Sequence, residues 1–142
     1  MSLVQWTEGR AIVGTGSPFQ PYVHKGKTYY FAQTNNSYIF PGVGLAILAI
    51  GARRVSDGMF LAAAKALAEL SPTRNVEGAP LLPPLNEMLE VSRHIALAVA
   101  RQARAEGLTE EWSDEQMESL IDEKIWRPEY RQYEYVGDSV RG

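Results

Sequence analysis

Two adjacent amide side chains are the first candidates for chemistry in this sequence. Asn35 and Asn36 stand in the stretch QTNNSYIFPGVG, before Pro41 and a long apolar run that predicts a helix. One interpretation is structural, because asparagine caps helices and tolerates left-handed φ, so the pair would be an N-cap and a turn residue. The other is functional, because amide donors beside free N–H groups at a helix N-terminus suit a carboxylate or phosphate. The residues alone leave both interpretations open.

Two glycine-rich stretches partly match the dinucleotide-binding loop G-x-G-x-x-G, and both lack its third glycine. A phenylalanine takes that place in GTGSPF, and an isoleucine takes it in GVGLAI. Neither stretch leads to an acidic residue at the end of a second strand about 20 residues later, as the full motif requires. The alternative is structural: Gly14 and Gly16 would form the exit of a strand, and Gly42 and Gly44 would allow close helix packing.

The other candidates for metal or acid–base chemistry favour a structural interpretation. His24 and His94 lie far apart with no carboxylate at ligand spacing beside either, so both are interpreted as surface or helix-face residues. The acidic stretch EEWSDEQMESLIDE falls at a predicted helix start, where carboxylates favour the helix dipole and the solvent. The chain has no cysteine, which excludes disulfide scaffolds, thiol catalysis and the usual zinc modules.

Length, charge and hydropathy limit the class of protein. A chain of 142 residues, 45% of them hydrophobic, is enough for one ordinary globular domain. The net charge of −3 provides no basic stripe, so we expect no nucleic-acid partner. The longest apolar stretch, 38–52, is shorter than the roughly 20 residues of a membrane helix, and the N-terminus has no signal-peptide pattern. We therefore expect no membrane partner and a cytoplasmic location.

A short β region precedes a helical majority. The apolar run GRAIVG predicts a strand at Arg10 to Val13, buried on both faces of a parallel sheet. The segment PYVHKGKTYYFAQ predicts a small hairpin with Gly26 in its turn.

Four helices are predicted after this hairpin, each with a recognisable start or end signal. The signals are Pro41 and Gly51 for the first helix, Ser56 or Asp57 as N-cap of the second, Gly107 after the third at about 87–106, and the Ser113–Gln116 capping box with Pro128 as the stop of the fourth.

Four blocks of this sequence resemble the C-terminal part of malic enzymes, especially the larger NAD-type bacterial and mitochondrial forms. The blocks are WTEGRAIVGTGSPF, NNSYIFPGVGLAILAIGARRVSDGMFLAAAKALAEL, LLPPLNEMLEVSRHIALAVA and IWRPEYR, in family order from about Gln5 to Arg131. The resemblance implies an α/β fold: the C-terminal part of a Rossmann-like NAD-binding domain, with a short buried strand and a small β-hairpin, followed by about four α-helices. It assigns 4–127 to this domain. From the residues themselves, the start MSL is interpreted as a cloning scar at 1–3, and the polar and aromatic stretch 128–142, which lacks a core pattern, as a tail that is partly disordered or packed on a partner.

The chemistry implied by the resemblance is oxidative decarboxylation of L-malate to pyruvate and carbon dioxide. NAD accepts the hydride, with NADP left open, and Mn²⁺ or Mg²⁺ polarises the hydroxyl and then the keto oxygen. The resemblance implies that Asn35 and Asn36 bind the substrate and that Asn35 also lies near the cofactor. It further implies that Gly16 and Ser17 line the cofactor cleft.

The family also needs residues that have no match in this sequence. These are an acid–base tyrosine and lysine, three carboxylate metal ligands, a substrate arginine and the glycine-rich cofactor loop, which the family places upstream. We therefore expect a C-terminal fragment of a homo-oligomeric enzyme that is inactive alone and self-associates through the strand edge at Arg10 to Val13 or through exposed apolar faces. The alternatives are a non-catalytic assembly or regulatory module derived from a malic enzyme, and a dicarboxylate binder at the helix start near Asn35.

Overall fold

The fold is a helical bundle preceded by a small β region. The computed structural model describes residues 2–76, 78–127, 129–130 and 132–133. The described helices are α1 (Ser2–Trp6), α2 (Phe40–Ile50), α3 (Asp57–Glu69), α4 (Met88–Ala105) and α5 (Asp114–Lys124), with short 3₁₀ helices at Asn36–Tyr38, Pro72–Arg74 and Leu85–Glu87. The described strands are β1 (Gly14–Thr15), β2 (Tyr22–His24), β3 (Lys27–Tyr29) and β4 (Ala32–Gln33). This arrangement confirms the predicted α/β class and its helical majority.

Helix α4 lies at the centre of the core. It packs against α2, α3 and α5, and one face of it is fully buried. The buried face follows the helical repeat, and its members are Val91, Ile95, Ala96, Val99, Ala100 and Ala103. Because half of these side chains are alanines, neighbouring helices can approach α4 closely. The long helix predicted for about 87–106 is therefore confirmed, with its first turn wound as 3₁₀.

The two glycines of α2 have different surroundings. A Cβ built on Gly42 would lie 2.7 Å from the Cβ of Ile95 and 2.9 Å from the carbonyl oxygen of Ser92. A Cβ built on Gly44 would meet nothing within 4 Å. Close helix packing is thus confirmed for Gly42 and wrong for Gly44, because no neighbouring atom comes close to the Gly44 position.

The predicted helix ends are mostly confirmed by hydrogen bonds. The Ser56 hydroxyl accepts the N–H of Met59, so Ser56 and not Asp57 is the N-cap of α3. Ser113 and Gln116 form a reciprocal capping box at the start of α5. Helix α5 ends at Lys124, before the predicted stop at Pro128, which lies outside the described residues.

Helix α4 closes on a left-handed glycine, as predicted. Gly107 has φ +65°, and the N–H of Leu108 donates to the carbonyl of Ala103. The Leu108 side chain is buried over the last turn. This is the hydrogen-bond and apolar pattern of a Schellman ending.

The predicted strand is shifted along the chain. Residues 10–13 are not paired as a strand, and Ile12 is 65% exposed. After α1 the chain is held in a turn, since the N–H of Ala11 donates to the Thr7 hydroxyl. Pairing begins only at Gly14, which lies opposite Ala32 in a parallel two-stranded sheet. The strand is parallel, as predicted, but its place and its burial on both faces were wrong, because within the described chain only β4 pairs with it.

The predicted hairpin is confirmed. Strands β2 and β3 are antiparallel, with Tyr22 opposite Tyr29 and His24 opposite Lys27. Both turn residues have positive φ, 50° at Lys25 and 76° at Gly26, as a two-residue type I′ turn requires.

The ends of the chain differ from the sequence interpretation in one respect. Helix α1 was not predicted, and it includes Ser2 and Leu3 and buries Val4. Much of the tail predicted for 128–142 lies outside the described residues, while Tyr130 and Tyr133 are fully exposed. In the described part of the chain, no helix has the length and apolar character that crossing a bilayer requires.

Candidate functional site at the ends of two parallel strands

The carboxyl ends of β1 and β4 lie side by side. The N–H of Thr34 donates to the carbonyl of Thr15 at 2.8 Å, and the Thr34 hydroxyl donates to the same oxygen at 3.1 Å. The side-chain amide of Gln33 donates to the carbonyl of Gly16 at 3.3 Å. These hydrogen bonds join the last residues of the two strands and the residues that directly follow them. The structure therefore brings together two segments that sequence analysis had singled out separately.

Gly14 in β1 and Gly16 just after it have different surroundings. A Cβ built on Gly14 would lie 2.7 Å from the methyl carbon of Thr34, so glycine allows the strands to approach there. A Cβ built on Gly16 would meet nothing within 4 Å, so the space beside Gly16 is open. The hydroxyl of Thr15 donates to the carbonyl of Ser17 at 2.7 Å and holds the loop in place. The predicted strand exit at Gly14 and Gly16 is confirmed.

Asn35 ends the extended segment and caps a short turn. It has φ −137° and ψ 147°, and its Oδ1 accepts the N–H of Ser37 at 3.0 Å. This bond occupies the acceptor end of the side chain and leaves the Nδ2 donors available. The predicted N-cap is therefore present, but it caps the 3₁₀ helix Asn36–Tyr38 and not α2, whose own N-cap is Ile39. The pair therefore lies one 3₁₀ turn before α2 and not at the N-cap of α2.

Asn36 differs from Asn35 in the bonds that its side chain makes. Its carbonyl accepts the N–H of Ile39 at 3.0 Å. Its side chain is exposed and makes no hydrogen bond to the described residues. Both ends of this amide are consequently available to a ligand, whereas Asn35 offers only its N–H₂ group.

Tyr38 anchors the turn that carries the asparagines. Its ring lies in the core, with 5% of the residue exposed, and its hydroxyl donates to the carbonyl of Pro83 at 2.7 Å. Burial raises the pKa of Tyr38, so the hydroxyl keeps its proton and remains a donor. Sequence reasoning missed Tyr38 and Thr34, because neither a lone tyrosine nor a lone threonine carries a local signal for such a role.

The loop containing Pro83 is itself held from a second side. The Ser71 hydroxyl donates to the carbonyl of Leu81 at 2.6 Å, just beyond α3. Pro83 is buried, and Leu82 packs against the core. The Pro83 carbonyl that accepts the hydrogen bond from Tyr38 therefore belongs to a fixed segment.

Where the structure describes them, the histidine and acidic side chains form no second site. His24 stacks on Tyr22, with ring centroids 6.3 Å apart, and His94 lies 3.3 Å from a carboxylate oxygen of Glu69 on α3. The His94 contact was not expected, since Glu69 is distant in sequence. Among the residues that the structure describes, no three His, Asp or Glu side chains are grouped to hold a metal ion. Within the described residues, no set of side chains fits the divalent metal that the resemblance implies for the intact enzyme, whose ligands it places upstream.

A cleft of about 280 Å³ lies at the opposite, amino ends of β1 and β4. Its wall is formed by residues 9–13 and 29–31 together with Thr73, Ala79 and Leu81. In open α/β sheets, ligands bind beyond the carboxyl ends of the strands. We therefore place the candidate site at the carboxyl ends, where Gly16, Ser17, Asn35 and Asn36 lie.

A family model and individual relatives of known sequence indicate the same family for this chain. Residues 1–104 match the model for the malic enzyme NAD-binding domain. The chain is 52% identical over 131 residues to an NAD-dependent malic enzyme of Shewanella putrefaciens and 51% identical to one of Pseudomonas syringae pv. tomato, covering 92% of this chain and 23% of each relative.

A solved structure shows the same relation. The crystal structure of Entamoeba histolytica malic enzyme superposes with a TM-score of 0.63 at 27% sequence identity, covering 82% of this chain and 22% of the other. The chain thus spans about a quarter of the length of the relatives that it matches. By its sequence match and its fold, this chain belongs to the malic enzyme family.

Proposed function

We propose that this chain is the C-terminal part of the NAD-binding domain of an NAD-dependent malic enzyme. The intact enzyme would oxidise L-malate at its hydroxyl carbon, pass the hydride to NAD, and release pyruvate and carbon dioxide. The observation that carries this proposal is the juxtaposition of the Gly16–Ser17 loop with the Asn35–Asn36 turn at the carboxyl ends of paired parallel strands. NAD is preferred over NADP because the relatives above bear the name NAD-dependent malic enzyme.

The asparagine pair binds the substrate in this proposal. The Asn36 amide, exposed and free of partners in the described chain, donates to a carboxylate of malate. Asn35 keeps its Oδ1 on the Ser37 N–H and uses Nδ2 as a donor, toward malate or the carboxamide end of the cofactor. A neutral amide orients the carboxylate without cancelling its charge, so the charge remains available to a metal ion.

The strand exit accommodates the nicotinamide end of NAD. The open space beside Gly16 lets a flat ring approach the backbone, and the carbonyl of Ser17 is fixed by Thr15. The cofactor supplies the hydride acceptor. Its diphosphate has no cradle at this loop, because the chain runs from Ser17 into the β2–β3 hairpin and not into a helix.

The acid–base groups and the metal ligands would come from the rest of the enzyme. The described part of the chain holds no cluster of metal-binding side chains. We therefore propose that 4–127 contributes one wall of the active site, that 128–142 is a tail, and that the chain alone does not turn over.

The test is a hybrid enzyme. In the Shewanella putrefaciens NAD-dependent malic enzyme, the 131-residue region matched by this chain is replaced by the corresponding residues of this chain. We expect NADH formation with malate, Mn²⁺ and NAD from the hybrid, and none from the 142-residue chain alone. A folded hybrid without activity, or turnover by the isolated chain, would contradict the proposal.

A second proposal concerns assembly, and it is favoured by the exposed apolar side of the bundle. Helix α2 contains no polar side chain, and Leu48 on its outer face is 73% exposed. Phe40 of α2 and Phe60 of α3 meet edge to face, and both are about half exposed. A patch of this kind marks a contact surface. Since residues 10–13 do not form a strand, we assign self-association to this patch and no longer to a strand edge at Arg10 to Val13.

Light scattering tests the assembly proposal. The chain at micromolar concentration should have a mass above the 15.8 kDa of one copy. Leu48→Gln should return it to a monomer, whereas Leu85→Gln, at a similarly exposed leucine before α4, should not. A monomeric mass for the unsubstituted chain would contradict self-association.

A further inference from the structure

The hydroxyl of Tyr38 connects the candidate site to the interior of the protein. Tyr38 is the last residue of the 3₁₀ helix that Asn36 begins, and its N–H donates to the Asn35 carbonyl at 3.2 Å. Its ring is buried in the core while both asparagines are exposed. The turn therefore has one fixed end and one solvent-facing end.

Besides the buried ring, one buried hydroxyl bonds the fixed end to a distant segment. The Tyr38 hydroxyl donates at 2.7 Å to the carbonyl of Pro83, which lies 45 residues further along the chain. Removing this donor would leave a buried carbonyl without its partner and would free the tyrosine ring to shift. A three-residue 3₁₀ helix has too few internal hydrogen bonds to keep its position by itself.

We propose that Tyr38 is a positioning residue for the asparagine pair, which it holds at the distance and angle that malate binding requires. This inference rests on the proposed function, since it concerns the same amides. It adds a residue that touches neither substrate nor cofactor and acts through the backbone of Asn35 and Asn36. A displacement of binding groups by about 1 Å can change catalytic constants by large factors, so a loss of anchoring would be visible in the kinetics.

The chain offers a matched control for this hydroxyl. Thr109 is also buried, and its hydroxyl donates to the carbonyl of Ile50 at 2.6 Å, at the far end of α2. Thr109→Val and Tyr38→Phe each remove one buried hydroxyl that bonds a backbone carbonyl. Both variants should lose stability to a similar degree, and only Tyr38→Phe should affect the site.

The first measurement is amide hydrogen exchange in the 142-residue chain. In Tyr38→Phe, the N–H groups of Ser37, Ile39 and the substituted residue between them should exchange about tenfold faster, because the bonds that close the turn open more often. In Thr109→Val these three N–H groups should exchange as in the unsubstituted chain. Unchanged exchange in Tyr38→Phe would overturn the inference even if the hybrid enzyme could not be made.

The second measurement is steady-state kinetics in the hybrid enzyme. Tyr38→Phe should raise the KM for malate about tenfold with less than about a threefold change in kcat, and Thr109→Val should leave both near the unsubstituted values. An equal rise of KM in both variants would mean a merely structural role and would overturn the inference. If Asn36→Ala loses activity and Tyr38→Phe does not, the inference fails alone; if neither loses activity, the proposed function fails with it.

Discussion

Gly42 offers the sharpest test of how α2 is held against α4. An alanine Cβ at this position would lie 2.7 Å from the Cβ and Cγ2 of Ile95 and 2.9 Å from the carbonyl oxygen of Ser92. Ordinary carbon contacts are about 3.5 to 4.0 Å, so α2 must move by close to 1 Å or the core must distort. Because the contacts include backbone and a Cβ, they cannot be relieved by rotating a side chain. Overpacking of this kind costs about 1 to 3 kcal/mol.

Gly44→Ala is the matched control for Gly42→Ala. Both replace a glycine of the same helix, and both gain roughly 0.5 to 1 kcal/mol from the restricted unfolded chain and the better helix propensity. Only Gly42→Ala adds the clash with α4, since a Cβ on Gly44 meets nothing within 4 Å. The difference between the two variants therefore isolates the steric cost, about 1 to 3 kcal/mol.

Thermal unfolding followed by circular dichroism in the far ultraviolet measures this difference. We expect Gly44→Ala to melt at or above the unsubstituted chain and Gly42→Ala to melt roughly 4 to 12 °C below Gly44→Ala. Urea unfolding at a fixed temperature should give the same order. Equal melting temperatures for the two variants would refute the close approach of α2 and α4. They would also refute the idea that this packing holds the asparagine turn, which directly precedes α2, in place.

Two further predictions concern α5. Ser113→Ala should lower the free energy of unfolding by about 1 kcal/mol, because the capping box is lost. The control Ser119→Ala, on the exposed face of α5, should change it by less than about 0.5 kcal/mol. Urea unfolding measures both variants, and equal effects would contradict the capping role of Ser113. The side-chain hydrogen bonds of Arg101 and Arg104 lower the pKa of Asp114. The Asp114 carboxylate therefore stabilises the fold at neutral pH, and this contribution is lost as the pH falls through the ordinary carboxyl range and then through the lowered pKa of the folded state. Asp114→Asn should therefore flatten the acid side of the stability profile, and a profile parallel to that of the unsubstituted chain would contradict this.

The helices could be predicted from the sequence because their signals are local. The capping box of Ser113, the cap at Ser56 and the left-handed Gly107 each act within about four residues. Apolar spacing placed α4 for the same reason. Helix α1 was missed because five residues carry too little periodicity to detect.

The strand could not be placed from the sequence because its position depends on a distant partner. The run at Arg10 to Val13 is as apolar as a buried strand, but pairing starts where Ala32 lies opposite Gly14. Which residues pair is set by the turn that follows α1 and by the contact of Thr34 with Gly14, and neither is visible in a short window. The same holds for Tyr38, whose partner carbonyl lies 45 residues away.

The candidate site was partly accessible from sequence. The doubled asparagine was recognisable, and the resemblance to malic enzymes implied its role. The structure adds that Asn35 caps a 3₁₀ turn and that the side chain of Asn36 is exposed. This difference between two identical side chains comes from backbone conformation, so residue type and spacing could not distinguish them.

The most direct test of the central claim is the value of kcat/KM for malate in the hybrid enzyme carrying Asn36→Ala. Asn86→Ala is the matched control, because Asn86 is an exposed asparagine on another short 3₁₀ helix. Loss of an amide bond to a charged ligand costs about 1.5 to 3 kcal/mol, so Asn36→Ala should lower kcat/KM about 10- to 150-fold with an unchanged melting temperature, and Asn86→Ala should not. Equal values of kcat/KM for the two variants would contradict the claim that this asparagine binds the substrate.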